Sequence, residues 1–336
     1  MGIVKWLLSW SWSWSKGRLA WLLIAAVLLL ASCSSPGIAA IGDHKPMKVG
    51  LIAPVHAAEQ GAAIRLGAEA AAKTYGMELA TADFRPEDGA AEQLAAAKRL
   101  LDEGAAALLA DPADEQVLEE LAAEAARRGV PLIALNEALM PRGVLAAVSV
   151  DNGEAGRQAG EALAELLDGS GRVAIVGANR DDADLEERER GIREALSAYS
   201  GIEIVEGASC GGSDYDCQEA ARLMLDREPL NGAFALEASG ALGLAQETRR
   251  RELSDRLSIV AFGSQLEQLS LLQDGVLDRL VVQNDFSIGY LAMERAAKRL
   301  TGDDDGAPSA LLETKVVDPD TMFWMNNQKL LFPFVQ

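Results

Sequence analysis

LAAAKRLLDEGAAALLAD, residues 94–111, contains one complete unit of the fold. Leu94, Ala97, Leu100 and Leu101 fall on one helical face, and Gly104 stops the helix. The apolar run 106–110 then reads as a short buried strand that ends on an acid, Asp111. The same unit recurs on either side. Strands are predicted at 48–53, 77–82, 131–136 and 146–150, and the intervening helix carries Val117, Leu121 and Ala125 on one face before Gly129. After Asp151-Asn152 a second series begins, with strands at 172–177, 202–205, 233–237, 258–262 and 279–283. Short apolar strands alternating with helices make a parallel sheet with helices on its faces, and the chain is too long for one comfortable core. The expected class is therefore α/β, with two Rossmann-like lobes. Gly156 and Gly160, one turn apart on the helix after Asp151, either let that helix pack closely on a sheet or are simply tolerated.

Residues 1–32 hold Lys5, Lys16 and Arg18 and no acidic residue, a charge of about +3. The apolar run 19–30, 12 residues long, is too short to span a bilayer as a helix and suits the core of a secretory signal. Five of the six tryptophans lie in this leader, an excess for which we have no functional account. Leu30-Ala31-Ser32-Cys33 resembles the lipobox of bacterial lipoproteins. The resemblance makes 1–32 a lipoprotein signal peptide, Cys33 the lipidated mature N-terminus, 33–46 a tether and the membrane a partner through the lipid. An ordinary signal peptide or an uncleaved anchor is the alternative.

Beyond the leader the chain carries 28 basic and 51 acidic residues, about −23. A surface of that sign excludes nucleic acid as a partner, because binding a polyanion needs basic residues. Two cysteines remain, Cys210 and Cys217. In an oxidising compartment they are expected to pair, two free thiols being the alternative. The first strand runs into Pro54-Val55-His56 with no GxGxxG, so no dinucleotide cofactor is expected. The only histidines, His44 and His56, build neither a catalytic triad nor a metal site. No enzyme, cofactor or metal is expected.

Taken in order, several stretches are similar to the type I periplasmic binding proteins of the ribose- and galactose-binding group. They are Lys48-Val49-Gly50-Leu51-Ile52, Leu101-Asp102-Glu103-Gly104 into Leu108-Leu109-Ala110-Asp111-Pro112, and Arg128-Gly129-Val130-Pro131-Leu132-Ile133. Val148-Ser149-Val150-Asp151-Asn152, Arg188-Glu189-Arg190-Gly191 and Gln273-Asp274-Gly275 leading to Val282-Gln283 follow. The resemblance implies a hinge crossed three times, near Asp151, near Gln283-Asn284 and between Pro308 and Val316. It divides the chain into a first lobe of 47–150 plus 285–309 and a second of 151–284 plus 310–336. It implies a monomer that closes on a sugar or sugar-like ligand and delivers it to an ABC import permease, exported and lipid-anchored outside the cytoplasm. The alternative is an accessory lipoprotein that presents its closed form to a membrane sensor kinase and transports nothing.

In such folds ligands bind beyond the carboxyl ends of the strands. The candidates are Gln60, Asp111, Asn136, Glu137, Glu237 and Gln283, with Arg190 and Tyr215 on flanking helices. Arg190 corresponds in the resemblance to a ligand-contacting arginine, and Tyr215, inside the Cys210–Cys217 loop, to an aromatic wall. Sugar-binding members show Asp-Arg, Asn-Asp and Phe-Asp where this chain has Asn136-Glu137, Glu237-Ala238 and Phe262-Gly263. The expected ligand is therefore a sugar other than ribose, a sugar derivative or oligosaccharide, or a cationic or amine-bearing molecule drawn by Glu137 and Glu237, the remaining alternative being that the site takes no ligand. The apolar ending 329–335 is expected to form a last strand on the second lobe, or else an exposed docking patch.

Overall fold

Thirteen strands and ten helices follow one another along the described residues of the computed structural model, which are 45–54, 58–84, 89–136, 140–177, 183–210, 213–303, 306 and 309–332. The leader, Cys33 and most of the tether lie outside them. The chain runs β1 (Lys48–Pro54), α1 (Ala58–Tyr75), β2 (Glu78–Phe84), α2 (Gly89–Asp102), β3 (Ala107–Ala110), α3 (Glu115–Arg128), β4 (Leu132–Leu135) and β5 (Val144–Val150). It continues with α4 (Asn152–Leu166), β6 (Ser170–Gly177), α5 (Ala183–Leu196), β7 (Gly201–Ile204), β8 (Ala208–Ser209), α6 (Asp214–Arg227), β9 (Gly232–Ala235) and α7 (Ala238–Arg250). The last part is β10 (Ser258–Phe262), α8 (Leu266–Gln273), β11 (Arg279–Val282), α9 (Asp285–Thr301), β12 (Ser309–Leu312), β13 (Lys315–Val317) and α10 (Met325–Leu331).

The first sheet has the order β12-β5-β4-β3-β1-β2 and is parallel throughout. The second has the order β13-β11-β10-β9-β6-β7, with β8 on β6, and only β13 runs antiparallel. Central strands such as β3, β4 and β9 are buried along their whole length, so they are apolar at every position rather than at alternate ones. Each sheet therefore lies between two core clusters, one per face.

The chain passes between the sheets after β5, after β11 and between β12 and β13, so the two Rossmann-like lobes share a three-stranded hinge. The first two crossings end in helix caps: Asp151 accepts from Glu154 N at 2.8 Å and Asn284 from Ser287 N at 2.9 Å. These bonds satisfy orphan N–H groups of α4 and α9 and set each helix's start at the hinge. At the third crossing Thr314 Oγ1 donates to Gln158 Oε1 of α4, 3.0 Å away.

Three expectations are corrected. The boundary at 309/310 falls inside β12, which pairs with β5 and so keeps residues to Leu312 in the first sheet. The apolar ending is helical to Leu331 rather than a strand; Leu331 is buried in the second-lobe core, with Leu330 and Phe332 packed against it, and residues from 333 lie outside the description. Gly156 and Gly160 serve helix–helix packing, not the sheet: a Cβ on Gly156 would strike the Arg188 carbonyl of α5, and one on Gly191 the Gly153 carbonyl. The first lobe repeats the device, with Gly67 of α1 against Phe286 and Gly289 of α9 against Ile64.

Candidate functional site

A cavity of about 150 Å³ opens at the carboxyl ends of β9, β10 and β11, where the three crossings meet the second lobe. Every crossing contributes to its wall: Asn152 from the first, Gln283 and Asp285 from the second, Thr314 from the third. Such a site changes shape whenever the lobes rotate about the hinge.

Arg188, on the second turn of α5, is its central cation. Its Nε donates to Asn152 Oδ1 at 2.8 Å, its Nη1 donates to the Leu236 carbonyl at 2.8 Å, and its guanidinium lies 5.0 Å from the centre of the Phe262 ring. A planar fork held on two sides and stacked on an aromatic face has little rotamer freedom left to lose on binding. Beside it, Gln283 Nε2 donates to Asp285 Oδ1 at 2.6 Å. Glu237, at the start of α7, accepts from Ser239 Oγ at 2.7 Å.

The β10–α8 loop is set from behind by Gln268, which is fully buried. Its Nε2 donates to the Phe262 carbonyl at 2.9 Å and its Oε1 accepts from Gln265 N at 3.1 Å. Gly263 has φ of +122°, and a Cβ there would run into the Gln268 side chain. The absence of an acidic side chain at 263 is thus a packing requirement of this loop.

Across the cleft, Asp111 and Asn136 stand at the ends of β3 and β4. Asn136 Nδ2 donates to Asp111 Oδ2 at 3.2 Å, while the buried Asn136 Oδ1 has no partner. Asn136 is left-handed, φ 55°, with its N–H bonded to the Val148 carbonyl. Fully buried Gln93 braces the loop after β3, donating to the Asp111 carbonyl at 2.5 Å and accepting from Ala113 N at 3.0 Å.

Of the sequence candidates, the structure brings Glu237 and Gln283 into the cavity and sets Asp111 with Asn136 on the facing lobe. Arg190 is displaced from the site: its side chain is 66% exposed and pairs with Glu187 at 3.2 Å. Tyr215 is likewise on the surface, 72% exposed. Glu137 and the side chain of Gln60 lie outside the described residues. Arg188, Asn152, Asp285, Gln268 and Thr314 were not among the candidates. Helical phase was the available signal for Arg188, which lies three residues after buried Leu185 and four before buried Ile192, whereas Arg190 lies on the opposite face.

Cys210 and Cys217 form a disulfide from the end of β8 to α6, and their sulfurs and a Glu237 oxygen lie within 4.8 Å of one another. With both sulfurs oxidised this cluster offers no thiolate to a metal. Among the described residues no helix is long and apolar enough to cross a membrane.

Two α/β lobes, a hinge crossed three times and a polar cavity walled by all three crossings define a cleft-type ligand-binding protein. Residues 49–304 match the periplasmic binding protein domain, and the chain belongs to that family, one of binding proteins and not of enzymes. The D-ribose/D-allose-binding protein of Pseudomonas aeruginosa is 24% identical over 291 residues, 83% of this chain and 91% of that protein. The ribose import binding protein RbsB of Bacillus subtilis is 26% identical over 269 residues, covering 78% and 84%. Among solved structures, GanP, a glucose-galactose binding protein from Geobacillus stearothermophilus, superposes with a TM-score of 0.76 at 24% identity, over 83% of this chain and 99% of that one. An ABC transporter solute-binding protein from Agrobacterium vitis, bound with alpha-D-tagatopyranose, gives 0.77 at 20% identity, over 85% and 99%.

Proposed function

We propose that this chain is the extracytoplasmic solute receptor of an ABC importer, that it takes a sugar into the cleft, and that lipid on Cys33 holds it to the membrane. The observation that carries the reading is Arg188, fixed by Asn152, the Leu236 carbonyl and Phe262 in a cavity walled by all three hinge crossings. A rigid donor fork beside an aromatic face matches a sugar's combination of ring hydroxyls and apolar faces. The names of the relatives, ribose, allose, glucose and galactose binders, support the ligand class. Glu237, Gln283, Asp111 and Asn136 are assigned to the remaining ligand contacts, and the lobes close to bring the last two onto the ligand.

The test is a thermal-shift screen of the soluble chain from Ser34 against pentoses, hexoses, inositols and short oligosaccharides. A ligand at a hundred times its dissociation constant adds about 2.7 kcal/mol of stability, a readily visible shift. A sugar that stabilises the wild type but not R188A supports the receptor and its site. A folded protein that no sugar shifts defeats the reading.

A further inference from the structure

We infer that Gln158 is a positioning residue of the hinge: it fastens the third crossing to α4, so that the first and third crossings turn as one body with the second lobe. The inference rests on the receptor reading above, because such a fastening has a function only in a protein that closes on its ligand. The third crossing is short. β12 ends at Leu312 and β13 begins at Lys315, which leaves Glu313 and Thr314 to pass from one sheet to the other. Two such residues have no secondary structure of their own to fix their direction. Thr314 is buried, and its Oγ1 donates to Gln158 Oε1 at 3.0 Å, a partner 156 positions away in the chain.

Gln158 is in turn held along α4. Its Nε2 donates to Glu154 Oε1 at 3.4 Å, Glu154 Oε2 accepts from Arg157 Nε at 2.9 Å, and the Glu154 N–H is the donor that Asp151 caps. A path of hydrogen bonds through the start of one helix therefore joins Asp151 of the first crossing to Thr314 of the third. Apolar packing runs the same way: α4 lies against β13, and Val316 packs on the core cluster that holds Ala155 and Ala159. The second crossing is fastened to the other lobe, since Asn284 caps α9, which packs on β3, β4 and β5. Rotation is thereby confined to the few bonds outside these fastenings, at Val150–Asp151, Val282–Asn284 and Leu312–Glu313. Gln158 is not in the described cavity wall, whereas Thr314 is, so Gln158 acts on binding through Thr314. Removing the acceptor strands a buried hydroxyl and frees the crossing to take directions from which the lobes do not close. Apparent affinity then falls with the competent fraction, by a factor that is the same for every ligand.

Calorimetric titration of the full chain in detergent with D-ribose, D-allose, D-glucose and D-galactose compares the wild type with Q158M, T314V and the double variant, folding being checked by melting curves. Q158M keeps the length of the side chain and removes its amide. The expected result is a loss of affinity of about fivefold in Q158M, the worth of one neutral hydrogen bond. That loss is equal for every sugar that binds, and adding Q158M to T314V causes no further loss. Unchanged affinity in Q158M, a loss that differs between sugars, or losses that add in the double variant overturn the inference and leave the receptor reading standing. Hydrogen exchange of the ligand-free chain is the second readout: the amides of residues 314–317 should exchange about fivefold or more faster in Q158M, and those of β9 should not. If none of the four sugars binds, the receptor reading fails for them, and exchange alone decides the fastening. Equal rates in wild type and Q158M then overturn it. T314V removes the same bond from the other side and serves the exchange test where Q158M does not fold.

Discussion

Arg188 and Arg190 differ by two positions and by their whole surroundings. The first is tied to Asn152, Leu236 and Phe262 in the cavity; the second is a surface partner of Glu187. R190A is expected to leave ligand affinity and melting temperature unchanged, while R188A weakens binding at least about tenfold, both read by titration with whichever sugar the screen identifies. Gly263 is a residue-scale constraint of another kind. G263D places a side chain at φ +122° against Gln268, so urea unfolding should show a loss of about 1–3 kcal/mol rather than a restored sugar anchor.

At the scale of elements, paired glycines let α4 approach α5 in one lobe and α1 approach α9 in the other. The carbonyls they meet belong to rigid helical backbone, so the cost of a side chain cannot be relieved by a rotamer change. G191V is expected to lower the urea midpoint, with a cost of about 3 kcal/mol or more, because both backbones must separate. Helices α1 and α9 are also joined by Tyr75, whose hydroxyl donates to Glu294 Oε1 at 2.6 Å. That bond raises the Tyr75 pKa from 10.0 to about 12 and lowers that of Glu294. The Tyr75 contribution is complete below pH 10 and is lost as pH rises through about 12. The Glu294 contribution is complete above the ordinary carboxylate value of 4.5 and is lost as pH falls below it. Unfolding curves of wild type and Y75F should therefore differ most between about pH 5 and pH 10 and converge beyond either end.

For the whole molecule the consequential feature is that the polar groups proposed above as ligand contacts are divided between lobes. The described cavity wall comes from the second lobe and the hinge, while Asp111 and Asn136, with its unpartnered Oδ1, wait on the first. Closure about three crossings is the motion that unites them. Small-angle scattering should show the radius of gyration fall when a stabilising sugar is added. An N136A variant is expected to weaken that compaction more than it weakens folding.

Periodicity along the chain was enough to read the α/β class, the strands from β1 to β7 and β9 to β11, and the two-lobe plan, because buried parallel strands and their covering helices leave local patterns. The short β8, β12 and β13 left no such pattern: they are two to four residues long and half exposed, and their pairing depends on partners far away in the chain. The apolar ending shows the same limit, since a short apolar run suits a strand or a helix equally and only the second-lobe core selects α10. In the site, strand ends located Asp111, Asn136, Glu237 and Gln283, because a strand's carboxyl end is a local feature. The choice of Arg188 over Arg190 and the Gln268 seal behind Gly263 were decided by tertiary structure, as was the meeting of Asn152, Asp285 and Thr314 at one cavity. These depend on which face of a helix is buried and on crossings that bring together residues more than a hundred positions apart.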